Sequence, residues 1–159
     1  MNVIDTIENS RITRETTMLS GAQWFLRLSL AAGFLSAVAD RFGLWGSPGA
    51  PNVAWGEWNS FVDYVATLNW FVPTLLIPAL AWIATVAETM LALGLLVGWK
   101  LRWFAFASGL LLLSFALTMA IALGVKVPLD YSVFVAAGGA FLLAATVTEG
   151  TGPSRPSEN

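Results

Sequence analysis

Between Ala81 and Gly98 the chain reads AWIATVAETMLALGLLVG, apolar almost throughout, with Glu88 near the middle. A carboxylate at the centre of a lipid-embedded helix costs roughly 2.5 kcal/mol or more by insertion scales. The stretch therefore demands either a partner for Glu88 or its protonation. Composition decides that the surroundings are lipid. The 159 residues are 57% hydrophobic and only 11% charged, with mean hydropathy +0.70. Soluble domains carry about 25% charged residues. A core of this size cannot bury so large an apolar surplus, so a bilayer must receive it.

Charge and missing residue types exclude several chemistries. A net charge of -2 without basic clusters argues against nucleic acid as a partner. The chain has no Cys and no His. Disulfides, iron–sulfur clusters, the usual zinc sites and bis-His haem are excluded within it, as are thiol catalysis and His-dependent triads. No covalent or metallic cofactor is expected. Redox chemistry here would need an organic carrier or a partner's centre.

Residues 1–20 are polar, carrying Asp5, Glu8, Arg11, Arg14 and Glu15, and lack the basic start, apolar run and cleavage site of a signal peptide. They read as a cytoplasmic N-terminal tail. Four spans follow, over about 21–39, 71–97, 103–124 and 129–148, within a transmembrane domain of 21–148. The 71–97 segment exceeds ~20 residues, so it either tilts or bends at Pro78. Residues 149–159, rich in Gly, Pro and Ser, read as a disordered C-terminal tail. The expected fold is all-α: a polytopic four-transmembrane-helix up-down bundle, with both termini cytoplasmic and the protein in the inner membrane. Orientation follows from basic residues: Arg11, Arg14, Lys100, Arg102 and Arg155 lie on one side, Arg41 and Lys126 on the other.

The first loop is long. Its first part carries Gly43, Gly46, Pro48, Gly49 and Pro51 and should be irregular. In its second part Trp55, Trp58, Phe61, Val62, Val65 and Leu68 recur at helical spacing. This predicts an amphipathic, Trp-rich helix at the outer interface. Eight Trp and ten Phe could sandwich a ring-shaped ligand, though interfacial belts are their ordinary use. Ser29, Gly33 and Ala37 recur every four residues and allow close helix approach, including within a homo-oligomer. Ser114 and Thr118 are expected to bond back to their own helix carbonyls.

The candidate site is an Arg27–Glu88 pair between the first two spans. Arg27 sits about 9 Å inside its helix and Glu88 about 13–15 Å from the same side, at 1.5 Å per residue. Pairing would offset part of each desolvation cost. It could serve only to fix packing, or line a polar pocket for a head group, a quinone or a proton path. Arg27 could alternatively snorkel to the interface. Asp40 and Arg41 read as a solvated helix end, with the mouth of a cavity under the aromatic segment as the alternative. Asp130 is expected to cap the fourth span, and Lys126 to anchor at the interface.

RLSLAAGFLSAVADRFG and AETMLALGLLVGWKLRWFAF resemble the first and second spans of the DoxX family of small membrane proteins, in the order Arg27, long loop, Glu88, short basic loop, Asp130. The resemblance implies a redox-associated subunit, such as that of a quinone-dependent sulfur oxidoreductase, rather than a stand-alone enzyme. It would bind a quinone or similar lipid-soluble carrier. Arg27 and Glu88 match the family's motif positions and would be the catalytic and cofactor-binding pair, with a redox protein as partner; the reading of the loop itself adds Asp40, Trp55 and Trp58 as cofactor-binding candidates. The alternative is a non-catalytic membrane anchor or scaffold for a partner protein. A small-solute transporter ranks third, since no broken-helix pair marks a path.

Overall fold

The computed structural model describes residues 3–147, and the expected 149–159 tail lies outside them. Six helices appear in order: α1 (Val3–Arg41), α2 (Trp58–Leu68), α3 (Ile77–Val97), α4 (Leu101–Leu123), α5 (Lys126–Asp130) and α6 (Val133–Thr146). The described residues form no strand.

α1 is continuous, so the polar tail and the first span are one helix of 39 residues, about 58 Å long at 1.5 Å per residue. Nothing in the sequence breaks it: Gly21 and Gly33 are single glycines, and no proline occurs before Pro48. Arg11, Arg14 and Glu15 are solvated along its exposed N-terminal half.

α3 does not bend at Pro78. A 3₁₀ turn over Thr74–Leu76 leads into the helix, and Pro78 falls in its first turn, where the missing N–H has no partner to lose. Gly98 ends it in the left-handed region, φ 79°, donating its N–H to Gly94 O. α4 then starts after Lys100, making a very short connection.

α1, α3, α4 and α6 share one core. Leu30, Ala31 and Phe34 meet Ala92 and Leu95, Ala105, and Ala140 and Leu143. Small residues let the backbones approach. The Phe104 ring lies where a Cβ on Gly94 would sit, and the Phe141 ring does the same at Gly109. A second cluster joins Phe61 and Val65 of α2 to Ile77 and Ala81 of α3. α2 therefore packs on the first turns of α3, as its apolar spacing requires.

The outer surface is apolar. Phe25, Leu28, Ile83, Met90, Leu110, Ile121 and Leu142 are all exposed. Among the described residues, three helical stretches are long and apolar enough to cross a bilayer: Arg11–Arg41, Thr74–Val97 and Leu101–Leu123. Exposed apolar side chains on such helices need lipid as solvent, so this is an integral membrane protein. α6 has only 14 residues, about 21 Å.

The expected fourth span over 129–148 is divided. Asp130 does not cap it. Asp130 ends α5 and pairs with exposed Lys126 one turn earlier. Ser132, at φ 55°, separates α5 from α6. α4 stops at Leu123 because Gly124, at φ 94° and ψ 149°, leaves the helical region.

Candidate functional site

Glu88 is paired, but not with Arg27. Arg41 Nη2 donates to Glu88 Oε1 at 2.6 Å, with the two side chains 3% and 2% exposed. Arg41 Nη1 donates to Thr85 Oγ1 at 2.8 Å, and that hydroxyl donates to Ala81 O. Thr85 stands three residues before Glu88, so both lie on one face of α3. The guanidinium also lies 3.9 Å from the Phe61 ring centroid and 5.4 Å from that of Trp55. Trp55 and Phe61 themselves meet edge to face at 5.0 Å.

Asp40 fixes the loop that brings Trp55 here. Its Oδ2 accepts from the N–H groups of Ala54 (2.8 Å) and Trp55 (3.2 Å). The loop closes through two glycines in the left-handed region. A Cβ on Gly43 would meet Gly56 O at 2.8 Å, and one on Gly56 would meet Pro48 N at 2.4 Å. Only glycine fits such contacts. Asp40 and Arg41 are thus buried anchors under the aromatic segment, not a solvated helix end.

Arg27 has a different task. Its Nε donates to Leu95 O at 2.9 Å and its Nη2 to Leu96 O at 3.1 Å, while its guanidinium lies 3.9 Å from the Trp24 ring centroid. It satisfies carbonyls left open at the C-terminus of α3. A Cβ on Gly98 would come within 2.6 Å of Arg27 Nη2, so glycine leaves room for the guanidinium. Glu88 is seven residues back from Leu95, about 10 Å along the helix. That separation, with Arg27 already held, is why the expected pair does not form.

The remaining site residues divide. Trp55, Asp40 and Glu88 are gathered around Arg41. Trp58 belongs to a rim cluster, with ring centroids 5.7 Å from Phe42 and 4.3 Å from Trp82. Sequence reasoning offered Arg41 only as a solvated helix end or the mouth of a cavity, not as the partner of Glu88, and gave Thr85 and Phe61 no part in the site. The available signal was the position of Arg41, 14 residues and about 21 Å beyond Arg27 on the same helix. It carried weight only if α1 stopped level with the middle of α3.

Two cavities flank the ion pair. One of about 290 Å³ lies between α2, α3 and α4, with Tyr64, Asn69 and Thr118 on its walls. The other, about 410 Å³, lies between α1, α4 and α6 and includes Glu88, Gly33 and Tyr131. Arg41, Phe115 and Met119 border both. Burial raises the Tyr64 phenol above its ordinary value near 10, and the nearby Tyr131 adds to this. Among the described residues, no three of His, Cys, Asp and Glu converge as a metal would need.

Ser114 and Thr118 do bond back to helix carbonyls, at Leu111 and Ser114.

Comparison with known proteins corrects the DoxX resemblance. No curated protein and no solved structure matches the chain. The family model of methylamine utilisation protein MauE matches residues 19–130, a stretch that holds the ion pair, the aromatic loop and α2. The apolar, Gly-rich spans that suggested DoxX are common to membrane helices generally, and so do not distinguish the families. The support that DoxX lent to a quinone carrier falls with it. Over more than two thirds of its length this chain matches one family, and it belongs to the MauE family of membrane proteins.

Proposed function

We propose that this protein is a membrane accessory protein of a methylamine-utilisation system, acting beside partner proteins and not as a stand-alone enzyme. The observation that carries the reading is the MauE match over residues 19–130. The geometry agrees with it. The buried charges at Arg41 and Glu88 neutralise each other and tie α1 to α3. Asp40 and Arg41 also hold the loop and α2 against the bundle, which gives a rigid aromatic surface at one end. A partner docking there would meet a preformed face, at little ordering cost.

In this reading α6 is a fourth, short span, reached through α5, and the bilayer thins or the helix ends snorkel to accommodate it. Both termini then face the cytoplasm across the inner membrane, as the basic residues indicate. Reporter fusions at Gly49 and at the C-terminus test this: periplasmic activity is expected at the first and cytoplasmic at the second.

The functional test is genetic. A methylamine-growing bacterium lacking this gene should fail on methylamine as sole nitrogen source and grow normally on ammonium. Wild-type protein should restore growth. Arg41→Met, at matched membrane levels, should not. Undisturbed growth on methylamine without the gene would overturn the reading.

A further inference from the structure

Arg–carboxylate contacts are often bidentate, with two parallel N–H···O bonds. The Arg41–Glu88 contact uses one oxygen only. Glu88 Oε2 and Arg41 Nε are both buried and without a hydrogen-bond partner. Each orphan keeps its desolvation cost with no bond to offset it, and the cost is larger for a charged group. They lie on side chains bordering the cavity of about 410 Å³ between α1, α4 and α6. That volume is in the range of small-molecule sites. Its other walls are almost wholly apolar, including Leu30, Phe34, Leu112 and Ala136, and Ser29 and Gly33 on its edge are exposed at the flank of the bundle.

From this we infer a ligand site for a neutral, membrane-derived amphiphile with a free hydroxyl head. The chemistry follows from the two unmet atoms. Arg41 Nε–H needs an acceptor and Glu88 Oε2 a donor, and a hydroxyl group provides both functions. The ion pair is neutral as a unit and no other charged side chain borders the cavity, so a charged head would gain no counter-ion. Apolar walls suit the chain of a lipid. Both orphan atoms are closed to solvent. The head therefore engages them only with a rotation of the Arg41 side chain, which borders both cavities. The inference does not depend on the accessory role proposed above.

The test uses full-length protein in nanodiscs and two photoreactive probes, hexadecanol with a mid-chain diazirine and its methyl ether. The ether can accept but cannot donate. We expect the alcohol to label peptides containing Leu112, Phe115 or Ala136 at least about fivefold more than the ether, the ratio one net hydrogen bond supplies. Gly33→Phe should abolish the labelling, because a Cβ at Gly33 meets nothing within 4 Å and the ring can enter the cavity. Ala32→Phe, on the same helix but outside the cavity, should not. The double variant Arg41→Met/Glu88→Leu should retain labelling but lose the preference for alcohol. Equal labelling by both probes, or labelling that survives Gly33→Phe, would overturn the site and leave water as the partner of the two atoms. Mass spectrometry of solvent extracts distinguishes the natural sources. A phenolic carrier or an acylglycerol should be enriched near one per chain in wild type and depleted in Gly33→Phe. Enrichment of neither counts against the site.

Discussion

Removing Arg41 is the sharpest test of how the bundle is held. Arg41→Met keeps a long apolar stem but deletes two buried donors, one to Glu88 at 2.6 Å and one to Thr85 at 2.8 Å, and a cation 3.9 Å from Phe61. Glu88, 1% exposed, is left as an uncompensated buried charge. Breaking such a pair from one side costs about 3–5 kcal/mol. Replacing both members by apolar residues is often neutral or stabilising. Arg41→Met/Glu88→Leu should therefore lie within ~1 kcal/mol of wild type, giving a coupling of several kcal/mol between the two positions. The same cycle run on Arg27 and Glu88 should give a coupling below about 0.5 kcal/mol, as expected for residues that share no contact. The assay is unfolding in mixed micelles as the SDS fraction rises, followed by tryptophan fluorescence. If the Arg41/Glu88 double variant is as unstable as the sum of the singles, the ion pair does not hold α1 to α3 and the reasoning fails.

Other consequences are more local. Arg27→Met should expose the carbonyls of Leu95 and Leu96 and cost about 2–3 kcal/mol, with faster amide exchange confined to the α3–α4 turn; exchange rising equally around Arg41 would refute a local role. Asp40→Ala should free the Ala54 and Trp55 amides and cost about 1–3 kcal/mol, seen as proteolytic nicking between Phe42 and Glu57. Gly94→Ala sets a methyl into the Phe104 ring and should cost about 1–3 kcal/mol, with Phe104→Leu restoring part of the loss in a melting experiment. Tyr64 gives a pH dependence: its phenol is raised in the folded protein, so above pH 10 the unfolded chain releases this proton first and stability falls as pH rises. Tyr64→Phe should flatten that alkaline decline, and an unchanged slope would count against the burial of the phenol.

Much of the fold was legible because the bilayer imposes it. Apolar runs near 20 residues must become helices in lipid, since every backbone group has to be satisfied within its own segment. The helical periodicity from Trp55 to Leu68 likewise located α2, although the helix itself begins three residues later, at Trp58. Boundaries were less legible. Pro78 reads as a bend or as a helix start according to where the preceding turn begins, and only the 3₁₀ turn at Thr74–Leu76 settles that. The division at Ser132 depends on a backbone angle that no local composition announces.

The site followed the same division. That a buried Glu88 needs a counter-ion was determined by the sequence through the cost of a charge in hydrocarbon. Which arginine answers it was decided by tertiary structure. With all helices taken as flush, Arg27 lies nearer in depth to Glu88, and Arg41 falls at the outer surface. In the folded protein α1 stops level with the middle of α3, because the loop and α2 cover the first turns of α3 through Ile77 and Ala81. That offset places Arg41 beside Glu88 and leaves Arg27 at the end of α3, where free carbonyls take up its donors. Sequence carries depth along each helix, at 1.5 Å per residue, but the relative height of two helices is set by how their side chains and connecting segments pack.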